Sequence, residues 1–334
     1  MKPLFLLANL GSPLSPKMWD VRRYLREFLT DPYVIDIPSP LRELLVNGII
    51  VPFRSKYTAE AYQYIWEEDG SPLINWTYRL AEEMRRYISD DVHVIMRYGE
   101  PNINQVTALA YESDRVYLLG LYPQHADSTR TTLIEKLKSI CTDKRIWVLQ
   151  PFYNEERYRS ILRDHLAAHL PDNLDHLIFS FHGIPVGQIK KADTSRAHCL
   201  KSSDCCEVPH PCQSTCYRHQ CFVNSSDLAD VFDGPSTTSF QSRVGRMAWL
   251  QPYTENVLTE LAQQGVKNAA IFCPSFVSDN LETIYDVGVK NRELWHSLGG
   301  ESLTLIPSLN CNLEWAKLLV EWCKEPDGMF KQVA

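Results

Sequence analysis

Apolar, β-rich runs recur along the chain at residues 4–10, 92–96, 116–121, 146–149, 177–181, 269–273 and 303–306. Most are too continuous to be strands with one wet face, and most have Gly, Pro, Asn or Asp beside them. That is the signature of a parallel sheet covered on both sides. Between them, stretches 19–29, 59–66, 76–88, 128–140, 155–168, 254–264 and 281–298 space their apolar positions at helical intervals. Strand and helix alternate, which predicts an α/β protein built on doubly wound parallel sheets. The chain also repeats itself weakly. Residues 7–13 (LANLGSP) have the shape of residues 179–185 (FSFHGIP), a strand followed by Gly-x-Pro. Leu121-Tyr122-Pro123 with Asp127-Ser128-Thr129 echoes Phe272-Cys273-Pro274 with Ser278-Asp279. Two similar Rossmann-like halves facing across a cleft would produce both pairs.

The 334-residue length fits that division, since one core rarely serves so long a chain. The expected domains are 1–145 and 146–311, with a closing helix in 312–334 packing back on the first. An apolar share of 44% and a charged share of 22% are ordinary for a soluble protein. A net charge of -7 gives no general attraction to nucleic acid or anionic lipid. No signal-peptide pattern and no membrane-length apolar run is present, so the expected compartment is the cytoplasm. The first region is nevertheless greasy, with Phe28, Leu29, Ile35, Ile37, Leu41, Ile49, Ile50 and Phe53 close together. It could form a cleft lip that admits a hydrophobic ligand and touches a membrane periphery, or simply two core helices. The sequence sets no oligomeric state.

Three groups of residues could carry chemistry. The first is His182, placed where a buried strand runs out on His-Gly-x-Pro, at the sheet edge where open α/β folds bind ligands. Near it in this reading lies the segment 274–286, in which a helix capped by Asp279 would set Glu282 and Asp286 on one face. Imidazole plus carboxylate suits iron(II), zinc or cobalt better than calcium or magnesium. The bland alternative is a structural histidine and a solvated acidic face. The second group is Arg97-Tyr98-Gly99, Gly70-Ser71-Pro72, Arg22-Arg23 and Arg54, polar groups suited to a flat acidic ligand or to an ordinary surface. The third is a cluster of six of the ten cysteines: Cys199, Cys205, Cys206, Cys212, Cys216 and Cys221, interleaved with His198, His210 and His219. Clustered thiols without a secretory context point to metal, and spacing does not separate a structural zinc from a 2Fe–2S cluster.

Assembled, these residues resemble the ferrochelatases. The stretches that carry the likeness are LLANLGSP, AEAYQYIW with DGSPL, MRYGEP, LYPQHADST, FSFHGIP, FQSRVGRMAWLQPYT, CPSFVSDNLET and IPSLN. The resemblance implies a lyase that inserts iron(II) into protoporphyrin IX, on two Rossmann-like domains of the class II chelatase fold. It implies that His182 accepts pyrrole protons or binds the incoming metal, with Glu282 as acidic partner and Asp286 behind it. Tyr64, Ser71, Arg97 and Tyr98 match positions near the macrocycle or its propionates, and Trp249 and Phe276 match apolar pocket positions. Leu10 stands where relatives acting on coproporphyrin tend to carry Tyr, which favours protoporphyrin. Two departures stand out. Asn280 replaces a His or Cys of many relatives, and residues 194–216 look like an insertion, with Tyr217 matching the Tyr that normally follows the HG-x-P segment closely. Some bacterial relatives hold a 2Fe–2S cluster in such a segment, which implies Cys199, Cys206, Cys212 and Cys216 as ligands, with Cys205 as rival and zinc as the alternative metal. The rival functions are another class II chelatase, handling cobalt, nickel or coproporphyrin, and a non-catalytic haem- or metal-binding sensor.

Overall fold

The structure, a computed structural model, describes residues 3–89, 91–110, 113–245 and 247–333. They fold as two compact units, one of Met1–Tyr122, Ala126–Gln150 and Asn310–Ala334, the other of Pro123–His125 and Pro151–Leu309. The first unit runs β1 (Leu4–Ser12), α1 (Met18–Leu29), α2 (Ser39–Leu45), α3 (Val51–Ile65), α4 (Pro72–Arg85) and β2 (Asp91–Gly99). It continues through α5 (Val106–Leu109), β3 (Arg115–Gly120), α6 (Thr132–Ile140) and β4 (Arg145–Leu149). The second unit runs α7 (Glu156–His169), β5 (His176–His182), α8 (Val186–Ala192), α9 (Tyr217–Ala229), β6 (Ser236–Gln241), α10 (Thr254–Gln263) and β7 (Asn268–Phe272). A wide helix bonded i→i+5 (Glu282–Asn291) then leads into α11 (Arg292–Ser297) and β8 (Ser302–Leu305). The chain returns to the first unit as α12 (Leu313–Lys324) and β9 (Phe330–Gln332).

The two sheets share one plan. The first has strand order β2-β1-β3-β4-β9, with β9 antiparallel at its edge; the second has β6-β5-β7-β8, all parallel. Thus β1 corresponds to β5 and β3 to β7, the two pairs that echo each other in sequence. The central strands are buried on both faces: Leu6, Leu7 and Ala8 of β1 and Leu177, Ile178 and Phe181 of β5 are fully enclosed. In the first unit, Leu4, Leu6 and Ala8 pack with Ile95, Leu118 and Val148 against Leu133 and Leu137 of α6. In the second, Ile178, Ile271 and Leu303 pack against Val257, Leu258 and Leu261 of α10 and against Trp295. α12 lies on α4 and buries Trp315, Leu318, Leu319 and Trp322.

Apolar periodicity misses two elements that matter. β6 reads Ser-Thr-Thr-Ser-Phe-Gln because its inner hydroxyls form a buried chain. Thr254 Oγ1 lies 2.8 Å from Ser180 Oγ and 3.0 Å from Ser239 Oγ, and Ser180 Oγ donates to Gln241 Oε1 at 3.1 Å. α9 hides its period because polar Gln220, Asn224 and Ser225 are on its buried face. Gln220 accepts the His125 N–H at 2.6 Å, and Asn224 accepts from Gln124 at 2.9 Å. Polar groups so enclosed hold the fold only because each has a partner.

The Gly-x-Pro corners of β1 and β5 differ in one respect. Gly11 has φ +109°, and a Cβ there would sit 1.8 Å from the Tyr98 carbonyl oxygen. Gly183 is outside the left-handed region, and its nearest neighbour would be the Gln241 oxygen at 2.8 Å. Gly11→Ala should therefore cost at least about 4 kcal/mol of unfolding free energy, and Gly183→Ala, which must push back the Gln241 backbone without a left-handed φ, about 2 kcal/mol. Urea unfolding of the two variants measures the difference, and equal losses would contradict it.

Candidate active site

His182 is the last residue of β5, and its imidazole is half-buried. Its Nδ1 lies 2.6 Å from the Gly183 carbonyl oxygen. A carbonyl only accepts, so Nδ1 carries the proton and Nε2 is left with the lone pair. Enclosure by protein pushes the imidazole pKa down; the bond to Gly183 and the charge of Asp286 oppose that only in part. The ring is therefore neutral near pH 7, a base with one defined acceptor nitrogen. Phe276 meets it edge to face at 6.1 Å between centroids. The Trp249 ring packs over Gly183, pairs its backbone with Pro185 and donates Nε1–H to Val244 O at 2.9 Å. His182, Phe276 and Trp249 thus form one partly apolar surface at the carboxyl edge of the second sheet.

The acidic helix is capped differently from expectation. Asn280, not Asp279, closes its N-terminus: Asn280 Oδ1 accepts the N–H groups of Glu282 at 2.9 Å and Thr283 at 3.1 Å. Asp279 instead faces inward, accepting from Thr283 Oγ1 at 3.0 Å and from the Ser308 N–H at 3.3 Å. Asn280 therefore does structural work, for which an amide oxygen is the preferred group. Glu282 and Asp286 both sit on the wide helix, where Asp286 is ion-paired with Lys290. Of the two carboxylates, Asp286 is the one whose charge reaches His182.

The expected ligand residues of the first unit divide into those that are accessible and those that are not. Tyr64 is 65% exposed on α3, and Leu10 is half-buried near the end of β1. Ser71 is enclosed at the start of α4. Arg97 and Tyr98 are turned to a different task. Both bind the buried carboxylate of Asp31, Arg97 through an ion pair and Tyr98 through a hydroxyl hydrogen bond of 3.0 Å. Thr132 Oγ1 donates to the same oxygen at 2.6 Å and accepts from Arg97 Nε at 2.8 Å. Arg97 is thus neutralised from within, and fully buried Tyr98 presents no surface to a ligand. Sequence reading missed Asp31 because a lone Asp-Pro after a helix looks like a turn.

The cysteine segment gathers its sulfurs. None of the cysteines is in a disulfide. Cys199 Sγ lies 3.3 Å from Cys212 Sγ and also hydrogen-bonds Cys216, which in turn bonds Cys206. Cys205 adjoins them, accepting from the Leu200 N–H at 3.3 Å, and Arg218 reaches the sulfur of Cys206 at 3.1 Å. The bond from Cys206, helped by the His219 N–H, holds the Cys216 thiol down to about 6 and pushes Cys206 up. His210 Nδ1 lies 3.0 Å from Cys212 Sγ, and its ring stacks on His198 at 4.1 Å. Asp193, at the segment's entry, is saturated by the N–H groups of Ser195, His198 and Cys199 and by the Ser195 hydroxyl. Its pKa is held low by those bonds, first of all the Ser195 hydroxyl. Cys221 stands apart, buried beside Tyr217.

Comparison with known proteins gives a consistent result. A family model for ferrochelatase matches residues 4–326. Ferrochelatase of Pseudomonas fluorescens (strain Pf0-1) is 44% identical over 330 residues, covering 96% of each chain. Ferrochelatase of Ectopseudomonas mendocina is 46% identical over 330 residues, again covering 96% of each. Among solved structures, SirB from Bacillus subtilis with Fe3+ superposes with a TM-score of 0.52 at 11% identity, covering 97% of this chain and 95% of that one. The cobalt complex of the sirohydrochlorin chelatase SirB from Bacillus subtilis subspecies spizizenii gives 0.50 at 10% identity, with coverage of 98% and 97%. These two likenesses concern the fold alone.

The Asp31 knot makes a stability prediction. Asp31→Ala strands the Arg97 guanidinium in a poorly hydrated site and should cost about 3–5 kcal/mol, whereas Thr132→Val should cost about 1 kcal/mol. Denaturant midpoints of the two variants test the ranking.

Proposed function

This chain belongs to the ferrochelatase family, and we infer that it inserts iron(II) into protoporphyrin IX to make protohaem, the terminal step of haem biosynthesis. The single observation that carries the mechanism is the tautomer of His182. Metal insertion exchanges two pyrrole protons for one iron(II), and a planar macrocycle presents its N–H groups against that exchange. A ring held bent exposes a nitrogen lone pair and a proton on one face. His182 Nε2, neutral and fixed by the bond from Nδ1 to Gly183, accepts that proton. Glu282 and Asp286 on the neighbouring wide helix receive the second proton or present the metal, and the charge of Asp286 stabilises the imidazolium once formed. Phe276 and Trp249 supply apolar contact for the macrocycle, and Leu10 favours protoporphyrin over the more acidic coproporphyrin. Arg97 and Tyr98 act by fixing the first unit around Asp31.

The cysteine segment is read as the site of a resident 2Fe–2S cluster. The donor set fits: thiol groups converge, and a polar insertion of this length cannot bury a core of its own. Cys199, Cys206, Cys212 and Cys216 are assigned as ligands because they form one run of sulfur–sulfur contacts; Cys205 is the adjoining fifth thiol. A bound cluster would supply a redox-active crosslink, and no step of metal insertion passes through it. We read the cytoplasm as its compartment, as the sequence suggests. Among the described residues no helix is long and apolar enough to cross a membrane. Exposed Trp19, Leu41, Leu44, Ile49 and Phe53 are proposed as the face that touches a membrane periphery, where a hydrophobic porphyrin is available.

Outcomes are expected at both sites. His182→Ala should abolish iron insertion while leaving protoporphyrin binding within a few-fold, and near-normal turnover would sink the assignment. In wild-type protein the lowered imidazole pKa keeps the base neutral through pH 7, so kcat/KM should fall on acidification only below about pH 6.5. For the cysteines, anaerobically purified protein should be brown with about two irons per chain. Cys205→Ser should keep that iron, and Ser at any one of the four assigned ligands, 199, 206, 212 or 216, should lose it; one zinc in colourless protein would assign zinc instead.

A further inference from the structure

The cysteine segment and the His182 backbone are joined by a closed ring of hydrogen bonds. His182 N–H donates to Ser275 Oγ at 3.0 Å. Ser275 in turn bonds the Tyr217 hydroxyl, and Tyr217 Oη donates to the His182 carbonyl oxygen at 2.8 Å. Each of the three groups gives one proton and accepts one, and the buried Cys221 thiol also bonds the Tyr217 hydroxyl. Tyr217 is 5% exposed and is the first residue of α9, directly after Cys216, the residue that caps that helix. The Cys216 carbonyl accepts the Gln220 N–H at 3.1 Å, so the Cys216 backbone sets where α9 starts and how Tyr217 leaves the cysteine segment. The segment's other end is tied to the same strand end. α8 begins four residues after His182, Asp193 at its close accepts the N–H groups of His198 and Cys199, and Thr215 Oγ1 donates to Ala192 O at 3.2 Å.

We propose that Tyr217 is a positioning residue through which metal held by the cysteines fixes the backbone of His182. This rests on reading the cysteines as a metal centre and His182 as the proton acceptor. With metal bound, Cys216 is immobilised, α9 starts at a defined point, and the Tyr217 hydroxyl holds the His182 carbonyl. Gly183 shares that peptide, and its own carbonyl sets the His182 tautomer, so an error at Tyr217 is passed to Nε2. When metal is lost, the polar segment loses its crosslink, Cys216 moves, and the ring opens at Tyr217.

The test is hydrogen–deuterium exchange of the full chain, metal-loaded and chelator-stripped, with metal content measured in both. The reporters are the amides of His182, Gly183 and Val186, bonded to Ser275 Oγ, Gln241 O and Ala248 O. Stripping wild-type protein should speed exchange across 182–186 by at least about fivefold. Loaded Tyr217→Phe should already exchange fast there, with no further response to stripping, while residues 198–216 still respond. Its kcat should fall about 10- to 100-fold with KM for porphyrin within about twofold. Ser275→Ala leaves the Tyr217–His182 bond in place; it exposes the His182 amide but should keep the metal response at Gly183 and Val186. Unchanged exchange at 182–186 in wild-type protein that demonstrably gains and loses metal overturns the coupling alone, as does a full response in Tyr217→Phe. Protein whose cysteines take up neither iron nor zinc overturns the centre and the coupling with it. An active His182→Ala variant would remove the catalytic reading but leave the exchange result standing.

Discussion

A parallel strand that stops at a reactive residue leaves that residue's peptide groups beyond the reach of the ladder, and buried peptide groups must find partners. The second unit is arranged around meeting that need at His182. Its N–H goes to the loop after β7, its carbonyl to the head of α9, and the next N–H to the last residue of β6. Three separate segments therefore converge on two residues of backbone. That convergence adds to the side-chain packing on the imidazole, where, among the described residues, Phe276 makes the one aromatic contact. The bond from Nδ1 to Gly183 then converts a fixed backbone into a fixed tautomer.

The first unit meets a different need in a similar way. β1 stays paired with β2 through Gly11 and Ser12, and only a glycine at 11 lets the Tyr98 carbonyl approach so closely. Beside that corner the paired Arg97 and Tyr98 are anchored on Asp31, and Tyr24 donates its hydroxyl to Gly11 O at 3.1 Å. Both corners thus use a Gly-x-Pro turn, but one is stiffened by a buried charge pair and the other by neutral hydrogen bonds. The difference is physically reasonable. A charged knot beside a base would shift its pKa, whereas neutral donors and acceptors hold it in place without doing so.

Much of this was legible in the chain. Continuous apolar runs located β1 to β5, β7 and β8, and the weak internal repeat paired β1 with β5 and β3 with β7, as the strand orders do. His182 could be placed at a strand end from Gly183 and Pro185 alone. What could not be read were the elements stabilised by polar partners. β6 and α9 carry their inward faces as hydroxyls and amides, which hydropathy scores as surface. The cap at Asn280 was misassigned to Asp279 because either side chain can close a helix, and only the distant Ser308 N–H decides which one turns inward. Asp31 was invisible for the same reason: its three partners, Arg97 and Tyr98 on β2 and Thr132 on α6, lie far from it in sequence.

The place of the cysteine segment follows from these constraints. A polar segment with little apolar surface cannot order itself by burial, so it needs a crosslink, and five thiols with few competing contacts supply the means. Such a segment costs least where its two ends are already held close together. Here the ends are Asp193, at the close of α8, and Cys216, at the head of α9, and the Thr215–Ala192 bond joins them. Both helices are anchored on the strand end that carries His182. The cysteine segment is therefore held at the strand end that carries the imidazole. The link from Cys216 to His182 runs through one phenol and no charged group.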